Sequence, residues 1–156
     1  MISVLFVCTG NQFRSPIAAE VFREQLARDG RSTQWVVNSA GTWTSNGLRV
    51  PGEAMRLANS FGVNIESHST RALDRAMLEH ADLVLVMEAG HKESIQVEFP
   101  FTRNKVHLLS QVVEGVAYDI PDPASARAEA RQIIRELVDM VRNGAGRIYQ
   151  LAESAK

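Results

Sequence analysis

The chain's only cysteine, Cys8, stands six positions before Arg14, in a stretch that reads Cys8-Thr9-Gly10-Asn11-Gln12-Phe13-Arg14-Ser15-Pro16. A thiol reacts as its thiolate, and a helix N-terminus and a neighbouring guanidinium both favour that form. The planar guanidinium fork matches two phosphate oxygens at once and suits the charge that develops on equatorial oxygens during in-line transfer, which a lysine would do less well. The intervening residues close a loop whose successive backbone N–H groups can point inward at one tetrahedral anion. Gly10 admits positive φ, and Asn11 is one of the few non-glycine residues that tolerate the left-handed region, so both suit a loop folded back on itself. For Ser15 two roles are open: capping the following helix, or donating to the Cys8 sulfur. The bland alternative is a small buried thiol with an arginine at chance spacing. The setting favours chemistry, because an apolar run precedes the loop and a Ser-Pro helix start follows it.

These residues need a strand to carry them in and a helix to receive them. Ile2, Val4, Leu5, Phe6 and Val7 supply the strand. Residues 16 to 29 supply the helix, with Ile17, Val21, Phe22 and Leu26 as one apolar stripe and Gly30 as C-cap. A second strand, Trp35-Val36-Val37 onward, stops at Asn38-Ser39-Ala40-Gly41, where Gly41 permits a turn. Strand, helix and strand make a βαβ unit, hence a parallel sheet with a right-handed crossover. Pro51 to Phe61 has helical spacing and ends at Gly62. Arg71 to His80 reads as one or two short helices. Asp82 to Met87 is a near-continuous apolar run of the kind buried on both faces, and is read as the sheet centre. Glu88 to Val97 reads as a helix with His91 and Lys92 on a solvated face. Phe99-Pro100-Phe101 breaks the pattern, and Val106, Leu108 and Leu109 give a fourth strand. The final helix carries Ile133, Ile134, Leu137, Val138 and Val141, and the alanine- and arginine-rich stretch from Ala124 to Arg131 is read as part of it.

The chain resembles the low-molecular-weight protein tyrosine phosphatases, as a bacterial-type member. The resemblance rests on Val7 to Pro16 and continues through Asn38-Ser39-Ala40-Gly41-Thr42, Ile65-Glu66-Ser67-His68, the strand Asp82 to Met87 with Glu88, and Asp122-Pro123, in the family's order. It implies an α/β three-layer sandwich with a four-stranded parallel sheet in the order 2-1-3-4 and helices on both faces. By the same resemblance Cys8 is the nucleophile, Arg14 the phosphate clamp and Asp122 the general acid and base, and Thr9, Gly10, Asn11, Gln12, Phe13 and Ser15 form the phosphate-binding loop. Trp43, just past the end of the second strand, sits where an aromatic either walls the mouth of a pocket or covers a loop; the family's aromatic wall favours the first. His68 lies in a polar stretch and on its own reads as an ordinary loop histidine. The resemblance joins it with Asn11, Ser15 and Ser39 in a network that supports the cradle. Asp122-Pro123 also has the form of an N-cap followed by a first-turn proline; both roles are compatible if another residue, such as Ser125, caps the helix.

The implied reaction has two steps and no metal or other cofactor. The Cys8 thiolate attacks phosphorus, Asp122 protonates the departing tyrosyl oxygen, and Asp122 then activates water against a phosphocysteine. Two positions depart from the family. Phe13 replaces a second cysteine that in many relatives traps the oxidised nucleophile, and Ala124 and Ser125 replace the aromatics that often follow Asp-Pro. One rival is arsenate reduction, whose fold and loop are similar but whose chemistry passes oxidation through further cysteines that this chain lacks; an external thiol would have to serve. Another is a non-catalytic phosphotyrosine-binding module, against which Cys8 and Asp122 both speak.

The 156 residues suit one domain, 1–156, and a hydrophobic fraction of 45% is that of a soluble globular protein. A formal net charge of -1 gives no general attraction to nucleic acid or an anionic membrane. A single free cysteine and no apolar span or signal segment point to the cytoplasm. The expected partner is a phosphotyrosine-containing protein, by family analogy a tyrosine kinase of polysaccharide export, and the expected state is a monomer or weak dimer.

Overall fold

The computed structural model describes residues 1–156. In chain order the elements are β1 (Ile2–Cys8), α1 (Arg14–Arg28), β2 (Trp35–Gly41), α2 (Gly52–Asn59), α3 (Arg75–His80), β3 (Leu83–Val86), α4 (Ala89–Glu98), β4 (Val106–Leu108), α5 (Leu109–Glu114) and α6 (Ala130–Ser154). All strand pairs are parallel, in the order β2-β1-β3-β4. This is the sheet the family resemblance implies.

Side chains alternate across a strand, so β1 feeds two cores at once. Val4, Phe6 and Cys8 face a core built with α1, α2, α5 and α6, while Leu5 and Val7 face a smaller one built with α3 and α4. In the first, Phe22 packs between Phe6, Trp35 and Tyr149 at ring separations of 5.6 to 5.9 Å. Burial of each such ring stabilises the fold by about 1.5–3 kcal/mol. Helix α6 is fastened across this face by Arg31 to Glu153 and by the Tyr149 hydroxyl, which donates to Asp29. Both cores clamp β1, and the strand therefore delivers Cys8 at a fixed height.

Several boundaries differ from the sequence reading. Leu109 opens α5 instead of ending β4. The stretch after Asp122-Pro123 is not helical: a turn at 123–125 and a short 3-10 segment, Arg127–Glu129, precede α6, whose N-cap is Glu129 with no side-chain cap bond. Neither Asp122 nor Ser125 caps that helix. Gly41 takes no left-handed turn; its φ is not positive. Space is the reason for glycine there, because a Cβ would stand 2.5 Å from the Thr9 carbonyl oxygen.

The order β2-β1-β3-β4 makes the gap between β1 and β3 the switch point of the sheet, where open parallel sheets bind ligands beyond the strand carboxyl ends. Val7 pairs with Val86. Thr9 and Glu88 therefore leave the sheet side by side.

Candidate active site

The loop from Cys8 to Arg14 turns back through Asn11, the one non-glycine residue with positive φ, at 58°. Gly10 does not share that conformation, contrary to expectation; a Cβ there would come no nearer than 3.9 Å, to the Gln12 side chain. The Asn11 N–H points at Cys8 Sγ from 3.3 Å. The amides of Gly10, Gln12, Phe13, Arg14 and Ser15 donate to no protein group. Unpaired amides in one tight loop at a helix N-terminus are suited to receive an anion, since buried N–H groups need an acceptor.

Ser15 lies within α1, fully buried, and makes no cap. Its Oγ is 2.9 Å from Cys8 Sγ and accepts from Asn11 Nδ2 at 2.7 Å. With Asn11 donating to it, the serine's own proton has two acceptors in reach, the Ala40 carbonyl at 3.5 Å and the nearer sulfur, and an ionised sulfur takes it. Two donors then converge on Sγ, and both favour its anion. Asn11 Nδ2 also donates to Ser39 Oγ at 3.0 Å, its Oδ1 accepts from the Arg71 N–H, and its backbone carbonyl accepts from His68 Nε2 at 2.8 Å. The structure thus brings Asn11, Ser15, Ser39 and His68 into one network behind the loop. Burial lowers the His68 pKa from its ordinary value, with Arg23 acting the same way and the bond to the Asn11 carbonyl opposing both.

Arg14 is 1% exposed. Its Nη1 donates to Glu88 Oε2 at 2.5 Å and to the Ile120 carbonyl at 2.8 Å, which accounts for both Nη1 protons. Nη2 reaches Thr9 Oγ1 at 3.4 Å and lies 3.8 Å from Asp122 Oδ2. Nε has no protein acceptor and Nη2 only the long bond to Thr9, so the Nε and Nη2 edge of the guanidinium is open, an edge whose parallel N–H groups match two oxygens of an oxyanion. Ile120 is itself pinned, its N–H donating to the Met87 carbonyl, so the loop that carries Asp122 is tied by backbone to the residue that follows β3. Asp122 Oδ1 accepts from the Ala124 N–H at 3.0 Å, and its carbonyl accepts from Ser125 and Ala126. That turn fixes one carboxylate oxygen and leaves Oδ2 on the Arg14 side. Cys8, Gly10, Gln12, Phe13, Arg14, Asp122 and Ala124 line one cleft. A roomier groove between α5 and α6 holds Glu114, Glu136, Asp139 and Arg147 but no nucleophile.

Trp43 is tied to the cradle through its backbone, its N–H donating to the Thr9 carbonyl at 3.0 Å, while the residue is 86% exposed and is not among the cleft-lining groups. His91 does not lie on a solvated face. It is 6% exposed, its Nδ1 accepts from the Glu88 N–H at 3.1 Å, and its Nε2 is 2.8 Å from Thr9 Oγ1. Burial lowers its pKa, as does Arg14, against opposing pulls from Glu88, Asp119 and Asp122. Glu88 and His91 are the site residues to which sequence reasoning gave no role. Their signal was a carboxylate just past the carboxyl end of a buried strand and a partner three positions on, the spacing of a helix-capping box.

Residues 3–154 match the family model described as low molecular weight phosphotyrosine protein phosphatase. Among curated proteins the chain is similar to a protein-arginine-phosphatase of Bacillus subtilis, 33% identical over 151 residues covering 90% of this chain and 97% of that protein. A low molecular weight protein-tyrosine-phosphatase of Streptomyces coelicolor is 32% identical over 149 residues, covering 90% and 89%. Among solved structures, a mutant of YwlE arginine phosphatase with a phosphorylated active-site serine superimposes with a TM-score of 0.88 at 29% identity, covering 99% of this chain and 100% of that one.

Proposed function

Because the chain belongs to the low molecular weight phosphotyrosine protein phosphatase family, we propose that it hydrolyses phosphotyrosine in proteins through a phosphocysteine on Cys8. The observation that carries this is the placement of Sγ: it receives the Ser15 hydroxyl at 2.9 Å and the Asn11 N–H at 3.3 Å, on the floor of a cleft that Arg14 and Asp122 also line. A phosphoryl group seated on the free loop amides has its oxygens at the open Nε and Nη2 edge of Arg14 and its phosphorus over the sulfur. The sulfur attacks in line. The P–O bond to the leaving group breaks, and protonated Asp122 gives its proton to the departing oxygen. Asp122, now ionised, takes a proton from water as the water attacks phosphorus, and the S–P bond breaks to return the thiolate. The Ser15 proton steadies the sulfur both as nucleophile and as leaving group. Charge on the equatorial oxygens falls on Arg14 and the amides throughout.

A second reading has support of its own. The B. subtilis relative is a protein-arginine-phosphatase, and here the polar Gln12 and the small Ala124 line the cleft, with Phe13 the one aromatic residue in its lining. On that reading the bond broken is P–N, and Asp122 protonates the departing guanidine nitrogen. Steady-state assay of one peptide sequence bearing phosphotyrosine, phosphoarginine or phosphoserine, with wild type and Cys8→Ser, separates the readings. The proposal expects the highest kcat/KM on phosphotyrosine and none in Cys8→Ser. Preference for phosphoarginine replaces it with the second reading, and turnover without Cys8 sinks both. A tyrosine kinase of polysaccharide export is the physiological partner we infer, and the Cys8→Ser protein is the trap with which to test it.

A further inference from the structure

Arg14 must present Nε and Nη2 to the substrate in one plane, and the protein fixes that plane at two points. Nη1 is held by Glu88 and the Ile120 carbonyl. A guanidinium held only there still tilts about the held nitrogen. The second point is Thr9 Oγ1, 3.4 Å from Nη2, and a threonine hydroxyl on a half-exposed loop can choose among rotamers. What selects its rotamer here is His91, at 2.8 Å.

We propose that His91 is a positioning residue for phosphoryl transfer: its Nε2–H holds the Thr9 hydroxyl, and Thr9 holds the Arg14 fork, so that the turn after β3 aims the group that grips the substrate's oxygens. The inference deepens the phosphatase reading and rests on it.

The hydrogen bonds fix which atom of His91 donates. Nδ1 accepts from the Glu88 N–H, so a neutral ring carries its proton on Nε2 and points it at Thr9. Burial and Arg14 both favour the neutral ring, and Glu88 from its own turn and Asp119 and Asp122 from the loop before α6 are the charged groups that oppose them. Thr9 Oγ1 then accepts from His91 and from Arg14 together. Its own proton is uncommitted, beside the Nη2 that lies nearest Asp122. Protonation of Nδ1 sets an N–H against the Glu88 N–H and a positive charge beside Arg14, which breaks the arrangement at its first link.

Two replacements divide the ring's two bonds. His91→Asn keeps an acceptor near Nδ1 for the helix cap and loses the reach to Thr9. His91→Gln keeps a donor near Nε2. The readouts are kcat and KM on p-nitrophenyl phosphate, the dissociation constant of inorganic phosphate, and thermal denaturation as a check of folding. Losing one positioning hydrogen bond, His91→Asn and Thr9→Val each lower kcat and weaken phosphate binding by about three- to ten-fold. The double variant is no worse than the poorer single one, and His91→Gln recovers to within about three-fold of wild type. Losses that multiply in the double variant, or a Gln variant as impaired as Asn, overturn the proposal. Should His91→Asn not fold, Thr9→Val against Thr9→Ser decides, with recovery by serine expected and its absence contradicting. A wild type that turns over no phosphomonoester defeats the phosphatase reading instead, and the phosphate-binding arm still judges His91.

Discussion

Replacing Gly41 by alanine should disable the cradle without touching any of its chemical groups. Gly41 closes β2 opposite Cys8, and a Cβ there would meet the Thr9 carbonyl oxygen at 2.5 Å and the Asn11 Cβ at 3.1 Å. Ordinary contact begins at 3.4 Å, so the loop must retreat by about 0.9 Å from β2. The atom in the way is backbone, and it cannot swing aside as a side-chain tip would. The Thr9 carbonyl also accepts from Trp43, and Asn11 holds Ser15 and Ser39, so the retreat is transmitted to both anchors of the loop. A displacement of about 1 Å in a reacting group costs on the order of a hundred-fold in rate. The overpacking itself costs about 1–3 kcal/mol of stability, or about 2–12 °C in Tm for a chain of this size. We expect Gly41→Ala to fold, to melt somewhat earlier and to lose about a hundred-fold in kcat/KM on p-nitrophenyl phosphate. Gly146→Ala is the control. It is an exposed position of α6 with no atom within 4 Å of the added Cβ, and the change should raise stability by about 0.5–1 kcal/mol and leave turnover alone. Wild-type activity in Gly41→Ala would show that the loop's position is not what sets the rate.

Three further outcomes follow from the same geometry. Ser15→Ala removes the proton aimed at Cys8 Sγ, and a hydrogen bond to a charged group of about 1.5–3 kcal/mol predicts a fall in kcat of about ten- to a hundred-fold; a loss under three-fold speaks against the assigned direction of that bond. Burial lowers the pKa of His68, His91 and His107 in the folded protein, so the unfolded chain binds more protons once the pH falls below 6.5. Urea unfolding should give a constant stability above that value and a decline from about pH 6.5 to 5, before carboxylates titrate; a flat or rising stability over that window contradicts the burial. Finally, Cys8 is the chain's only cysteine and Phe13 stands beside Arg14, so no second thiol can trap a sulfenic acid. Peroxide-inactivated enzyme should recover poorly in dithiothreitol, and full recovery counts against this.

The parts of the molecule legible in the sequence are those in which one segment decides its own surroundings. β1 and β3 are apolar on both faces and read as buried parallel strands. The loop reads as an anion site because its chemistry-bearing residues are consecutive. What the sequence hid is set by partners far away in the chain. His91 lies among Gly90, Lys92 and Glu93, a polar setting that suggests solvent, yet the turn after β3 folds it back under Thr9. Val106, Leu108 and Leu109 are apolar around His107, and nothing local marks that the strand stops at Leu108 and Leu109 opens α5. Ala124 to Arg131 has good helix formers, but Asp122 must reach Arg14, and the turn that holds its carboxylate delays α6 to Ala130. Local propensity yields there to a tertiary contact.

In the proposed reaction the Cys8 sulfur takes the phosphoryl group. Rapid acid quench of wild type during turnover of p-nitrophenyl phosphate, followed by peptide mass spectrometry, looks for that adduct. The predicted result is a phosphoryl group on the peptide containing Cys8, formed within the first turnover and absent from Cys8→Ala, which is inactive. Steady hydrolysis with that peptide never modified, or hydrolysis that survives Cys8→Ala, would contradict it.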